Sequence, residues 1–342
     1  TEPAELVATI RLVKELFGVE EISVETNPKD LRSDILAPLR AAGVTRLSVG
    51  VQSFDDRLLR EMERYDKYGS GADTADRIRA AAAMFPTFNI DLIFNQPHQT
   101  LASLERDIAL FRTLGANQVS FYPLMTSATV RRRMAGAMGL PTSRRLRAFY
   151  RTIVRRLQPD FLATSAWCFT RRGHGSDEYI VAADHYVGVG SGAFSYLDGT
   201  LYSTTFSLLT YEQRVARGLT GITTCHRLSE TDRLRYSLLV RMFGLRLDRA
   251  WALHHHGPQF FRRLWGELLT LRVLGAARRD ARGWQLNERG MYWLMLMMSA
   301  FFESVNNYRD AMRARIRDEL NESATLCVPA AARLAPNAAA AR

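Results

Sequence analysis

Residues 46–53 read RLSVGVQS and residues 88–95 read FNIDLIFN. Both alternate apolar and polar side chains with a period of two, which is the signature of a β-strand. In the first, Ser48 and Gln52 fall on one face with Gly50 between them. In the second, Asn89 and Asp91 do the same. Two further stretches follow the rule: EISVET at 21–26 sets Ser23 beside Glu25, and QVSFYPLM at 118–125 sets Ser120 beside Tyr122. Between these strands lie helical patterns at 30–42, stopped by Gly43, at 55–64, at 72–85 and at 100–114. Thr100 is placed to cap the last of these and Gly115 to end it.

Strands separated by helices imply parallel βαβ units with right-handed crossovers. An open doubly wound sheet and a barrel both satisfy that pattern. Parallel strands covered on both sides normally read as continuous apolar runs, so a consistently polar face is unusual. Burying it is unfavourable unless the groups are satisfied. Two readings stay open: an internal hydrogen-bond network, or a cavity for a polar ligand lined by Glu25, Gln52 and Asp91. No GxGxxG or GxxxxGK[ST] phosphate loop occurs, which argues against dinucleotide or triphosphate chemistry.

Beyond residue 126 the pattern loosens. A helix is expected at 143–157, then aromatic segments around Trp167, Phe169, Tyr179 and Tyr186, then the glycine-rich run GVGSGA at 188–193. Three glycines there allow close backbone approach or a tight turn. From about residue 222, amphipathic helices at 235–243 and 259–274 precede a short strand at 284–286. Asn287 is placed to cap a helix running to about residue 304. This suggests a small α-rich, winged-helix-like unit. Residues after about 321 are alanine-rich and read as a flexible tail.

The chain has 342 residues, 47% of them hydrophobic and 24% charged, which excludes a wholly disordered protein. The longest apolar run, 291–302, falls short of the roughly 20 residues that span a bilayer. Net charge is +11, almost all of it from arginine, since lysine occurs only at 14, 29 and 67. The arginine clusters at 131–133, 144–145 and 171–172 lack the interleaved aromatics of a nucleic-acid module. Guanidinium forks suit a carboxylate-rich ligand at least as well as a phosphate backbone. Cys168, Cys225 and Cys327 are too few and too far apart for a disulfide framework or a zinc knuckle, which fits a reducing, cytoplasmic setting. His254, His255 and His256 are consecutive and would point about 100° apart on a helix, so they read as a solvated polar stretch.

The ordered blocks at 24–28 (VETNP), 43–54 (GVTRLSVGVQSF) and 89–93 (NIDLI), with Pro97, Gln99 and Thr100, resemble the radical S-adenosylmethionine (SAM) enzymes of the oxygen-independent coproporphyrinogen III oxidase type. The resemblance is strong over 4–125, moderate over 180–200, where GVGSGAFS resembles a late glycine-rich strand, and weaker over 222–310. It implies a partial TIM-type βα barrel over 1–215 lacking its first strand or strands, a C-terminal substrate-covering domain over 222–320 and a tail over 321–342. It also implies that Glu25, Gln52, Arg64 and Asp91 line the SAM site, with Tyr122 and Met125 beside the adenine.

One feature departs from that family. Its members hold a [4Fe-4S] cluster on a Cys-x3-Cys-x2-Cys loop that precedes the first matched block, and this chain has no such triplet. A chain beginning at Thr1 is then expected to be part of a longer protein whose earlier segment carries the cluster; as it stands, it has no means of delivering an electron to SAM. No catalytic acid or base stands out. The resemblance implies radical decarboxylation of porphyrinogen propionates, with a small-molecule tetrapyrrole substrate and an electron donor such as flavodoxin or ferredoxin. Neither membrane nor nucleic acid is an expected partner. The family also contains methyltransferases that act on heme or another aromatic, and a non-enzymatic heme chaperone of the same fold. Both remain alternative readings.

Overall fold

The computed structural model describes residues 2–138, 143–174 and 185–316. Tyr179, Cys327 and the expected tail at 321–342 lie outside the described residues.

Four parallel strands form the centre of a six-stranded sheet: β1 (Ser23–Thr26), β2 (Arg46–Gln52), β3 (Thr87–Phe94) and β4 (Gln118–Pro123). Two short strands complete it, β5 (Phe161–Ala163) and β6 (Cys168–Arg171), in the order β1-β2-β3-β4-β6-β5. β6 runs antiparallel to both β4 and β5. The parallel expectation therefore holds for the four strands on which it was made, and the sequence pattern did not reveal the other two. β5 and β6 are joined by a tight turn, so no helical crossover separates them and they must pair antiparallel.

One face of this sheet is the core. Leu47, Val49, Phe88, Ile90, Leu92, Phe94, Val119 and Phe121 are all buried against helices including Ser33–Ala42, Gly71–Ala81 and Leu101–Phe111. Each such side chain contributes about 1.5–3 kcal/mol of transfer free energy. The helix boundaries follow local chemistry. Gly43 ends Ser33–Ala42 in the left-handed region, at φ 102°. Thr100 caps Leu101–Phe111 by accepting from the Ser103 amide. That helix stops at Phe111, short of Gly115, because residues 112–114 tighten into a turn before the glycine reverses the chain at φ 82°.

The glycine-rich run at 188–193 forms a turn, and strand β7 (Phe194–Leu197) begins directly after it. A Cβ on Gly188 would lie 2.2 Å from the Phe194 carbonyl oxygen, so the close approach inferred from the glycines is real. β7 pairs with β8 (Thr200–Thr204), and β8 with β9 (Ile222–Arg227). β9 lies past residue 222, so this sheet ties together segments on both sides of that point.

The last unit is winged-helix-like: β10 (Arg246–Asp248), β11 (Ala277–Asp280) and β12 (Gly283–Leu286), in the order β10-β12-β11, packed with helices. Three expectations need correction here. The helix expected at 259–274 is two, Gln259–Arg263 and Trp265–Val273, broken at Leu264. The helix expected to end near 304 runs from Glu288 to Ala314. The three histidines are not merely solvated: His255 stacks on Trp251 with centroids 4.8 Å apart, and His256 on Phe260 at 5.3 Å.

Helix Glu288–Ala314 links the units. Its Phe302 meets Trp167 at 5.7 Å and its Tyr292 meets Tyr150 at 5.8 Å, both beside the six-stranded sheet. Farther along, the Tyr308 hydroxyl hydrogen-bonds Ser203 of β8 at 2.7 Å and Thr224 of β9 at 2.9 Å. Asn307 Oδ1 accepts from the Ala128 amide at the start of helix Ala128–Met138.

Candidate functional site

The second face of the six-stranded sheet is polar, as the alternation requires, and its side chains are joined in rows across the strands. In the first row, buried Arg46 donates from Nη1 to Ser23 Oγ at 2.9 Å and from Nε to Gln118 Oε1 at 2.8 Å. Gln118 Nε2 then donates to Thr170 Oγ1 at 3.0 Å. This row crosses β1, β2, β4 and β6. A buried guanidinium needs such partners, because leaving its donors unpaired costs several kcal/mol.

The second row centres on Asp91. Ser48 Oγ donates to Asp91 Oδ2 at 2.8 Å, and Asn89 Nδ2 to Asp91 Oδ1 at 2.8 Å. Asn89 Nδ2 also reaches Ser48 Oγ at 2.8 Å, and Ser120 Oγ donates to Asn89 Oδ1 at 3.2 Å. Each Asp91 oxygen accepts one of these hydrogen bonds and keeps capacity for a second. Burial is the main influence on this carboxyl and pushes its pKa up to about 6. The Ser48 hydrogen bond and the Arg46 charge pull it down, and the negative charge of Glu25 pushes it up.

The third row lies at the carboxyl ends of β1 and β2. The register between β2 and β3 slips after Gly50, which pairs with Asp91, so that Gln52 pairs with Leu92. Gln52 takes φ 74°, in the left-handed region, at this bulge. Arg64 comes in from beyond helix Asp56–Glu61, and its Nη2 donates to the Gly50 carbonyl at 2.5 Å. Its guanidinium lies over the Tyr68 ring at 4.5 Å, and burial lowers its pKa. A Cβ on Gly50 would lie 3.0 Å from Gln52 Nε2, 3.8 Å from the Thr26 carbonyl and 3.9 Å from Arg64 Nη2. Gly50 therefore keeps open a small hollow between β1, the bulge and Arg64.

The four residues singled out from the sequence thus converge. Gln52 and Arg64 meet over Gly50, Asp91 is the register partner of Gly50, and Glu25 is near enough to raise the Asp91 pKa. Together they bring two carboxylates, one neutral amide and one guanidinium to the same end of the polar face, a set of groups suited to a zwitterion or a polyhydroxylated ring. The described residues do not offer a cluster site. Cys168 is buried in β6, Cys225 is exposed in β9, and no group of three or more His, Cys, Asp or Glu side chains is placed to hold a metal.

Tyr122 stands one step beyond Ser120 on β4, with its ring 5.1 Å from Trp167. Trp167 also meets Phe243 edge-on at 4.5 Å. An aromatic wall therefore flanks the polar face on the β4 side. Sequence reasoning missed Arg46, Gln118 and Thr170. The signal for the first two was present, since each lies two residues before a polar position already identified. Thr170 sits in a strand too short to show a period.

Residues 2–134 match the family model described as the Radical SAM superfamily. Among curated proteins, the heme chaperone HemW of Bacillus subtilis (strain 168) is 30% identical over 196 residues, 56% of this chain and 51% of that protein. HemW of Lactococcus lactis subsp. lactis is 30% identical over 208 residues, 58% of this chain and 53% of that protein. The oxygen-independent coproporphyrinogen III oxidase of Bradyrhizobium diazoefficiens is 39% identical over 100 residues, 29% of this chain and 22% of that protein. The chain spans about half the length of the HemW proteins. Among solved structures, coproporphyrinogen III oxidase (HemN) from Escherichia coli, described as a radical SAM enzyme, superposes with a TM-score of 0.69 at 21% identity. That match covers 87% of this chain and 74% of HemN, and it shows a common fold. No described helix is long and apolar enough to cross a membrane.

Proposed function

We propose that this chain, whose residues 2–134 match the radical SAM family model, binds SAM over the ends of β1, β2 and β3 in a protein that handles a tetrapyrrole. The observation that carries the reading is the clustering at the ends of β1, β2 and β3: Arg64 and Gln52 meet over Gly50, and Asp91, the register partner of Gly50, lies close to Glu25. The chemistry of this donor set fits SAM. Arg64 would pair with the methionine carboxylate, and the Gln52 amide would hold the same end. Glu25 and Asp91 would accept from the ammonium group or the ribose hydroxyls. When bound, SAM supplies a sulfonium that one-electron reduction can cleave to a carbon radical.

A [4Fe-4S] cluster does not fit the described residues, and no step is assigned to one in this chain. In this reading, the cluster and a donor such as flavodoxin or ferredoxin belong to parts of the protein or cell outside it. Residues 1–215 would form the barrel, and 222–320 a cover over its substrate. Tyr122 and Phe302 pack on either side of the buried Trp167, and their half-buried rings would offer the apolar contact a large ring needs.

Heme handling is the stronger of two readings of the tetrapyrrole. It is supported by the span of similarity, since the heme chaperones match over 196 and 208 residues and the oxidase over 100. Radical decarboxylation of coproporphyrinogen III is the second. Anaerobic incubation with SAM, a reductant and either heme or coproporphyrinogen III separates them. Stoichiometric heme retention without 5′-deoxyadenosine supports the chaperone reading. A vinyl product formed together with 5′-deoxyadenosine supports the oxidase. Methylated tetrapyrrole with S-adenosylhomocysteine would replace both readings with a methyltransferase. If neither tetrapyrrole is bound or converted, the proposal is wrong.

A further inference from the structure

We propose that the winged-helix-like unit carries a second binding site, independent of the sheet, for a flat apolar molecule bearing carboxylates. A groove of about 470 Å³ lies between helix Trp265–Val273 and the start of β12. This is within the range of small-molecule sites, roughly 300–1,000 Å³. Phe261, Trp265, Leu269 and Trp284 supply its apolar surface. Trp265 is 65% exposed and Leu269 45% exposed, so with Phe261 they form an apolar patch open to solvent. The exposed Trp265 indole and the half-buried Phe261 ring offer planar faces above the buried Trp284, and a flat ring system buries the most area against them.

Three arginines complete the lining: Arg249, Arg272 and Arg279. Arg279 is the register partner of Trp284 across β11 and β12, so a guanidinium and an indole mark the same level of the groove. Arg249 begins helix Arg249–His256, where its backbone amide donates to the Arg282 carbonyl at 2.7 Å. Among the described residues, no acidic side chain lines the groove. The acids nearest in sequence are engaged elsewhere. Glu267 pairs with Arg235 at 2.9 Å, Asp280 with Arg246 at 2.7 Å, and Asp248 caps its helix through the Trp251 amide. None of the three groove arginines has an ion-pair partner among the described residues. The chain leaves three positive charges uncompensated around an aromatic surface, and carboxylates on an apolar body complement both features at once.

The test is titration with 1-pyrenebutyrate, followed by energy transfer from tryptophan to pyrene, with 1-pyrenebutanol as the neutral control. The acid should bind at least tenfold more tightly than the alcohol. Arg272→Gln combined with Arg279→Gln should remove that difference, and Trp265→Ala should weaken both ligands. Raising the salt concentration on the unmodified protein should weaken the acid only, which tests the charges without a variant. Equal binding of acid and alcohol would overturn the proposal, as would an unchanged salt response. If Trp265→Ala spares the probe but dissociates an oligomer, the groove is an interface between copies and the proposal fails.

Discussion

Arg64 donates from Nη2 to the carbonyl of Gly50, a residue fourteen positions earlier, and so fastens the segment after helix Asp56–Glu61 onto the bulge of β2. One side chain thereby holds the hollow open and puts a positive charge at its rim. Arg64→Ala should raise the SAM dissociation constant about tenfold or more, equivalent to about 1.4 kcal/mol. Arg64→Lys should recover only part of this, because an ammonium lacks the planar fork. Isothermal titration reads both values. Unchanged affinity would leave Arg64 a support for the bulge and nothing more.

SAM affinity should also depend on pH through Asp91. Its carboxyl has a pKa pushed up to about 6, chiefly by burial. The ionised form accepts hydrogen bonds from the ligand, so affinity is full above about pH 6 and falls as pH drops through that value. Asp91→Asn should flatten the profile between pH 5 and 7. A wild-type profile that is already flat would remove Asp91 from the site.

Asp107 is a different kind of buried acid. It accepts from Ser53 Oγ at 2.7 Å and from the Phe54 amide at 3.0 Å, tying helix Leu101–Phe111 to the turn after β2. Asp107→Ala should cost on the order of 2 kcal/mol, since it strands a buried amide. Burial raises the Asp107 pKa to about 6. The folded state therefore holds this proton more tightly than the unfolded chain does. Its stabilising contribution is full below the usual carboxylate range and shrinks as pH rises toward 6. Urea unfolding at pH 4.5 and pH 7 should show the wild-type advantage over Asp107→Ala to be larger at the lower pH.

Arg145 clamps the loop after β3. It donates to Asn95 Oδ1 at 3.1 Å, to the Pro97 carbonyl at 2.7 Å and to the Gln96 carbonyl. Asn95 itself sits at φ 64°, so the loop is held in a conformation that most residues avoid. Arg145→Ala should accelerate amide hydrogen exchange across 95–99 while leaving the β3 amides protected. Uniform acceleration across the sheet would mean that the arginine supports global stability instead.

The central strands were legible because one physical fact, alternation, reports both the strand and its polar face. Glu25, Gln52 and Asp91 emerged from that pattern, and Arg64 from the family resemblance. β5 and β6 were not legible, because three or four residues cannot display a period. Asp107 was hidden for another reason: within a helical sequence it reads as a surface acid, and only the turn at Ser53 and Phe54 buries it. The bulge at Gln52 leaves no mark in composition, since its left-handed backbone is imposed by the register slip between β2 and β3.

Equilibrium dialysis of SAM against the wild-type protein and Asp91→Ala decides whether the polar face of the sheet is a SAM site. The wild type should take up one saturable equivalent, and the variant should bind at least tenfold more weakly. Binding that is absent from the wild type, or equally tight on both proteins, would contradict that assignment.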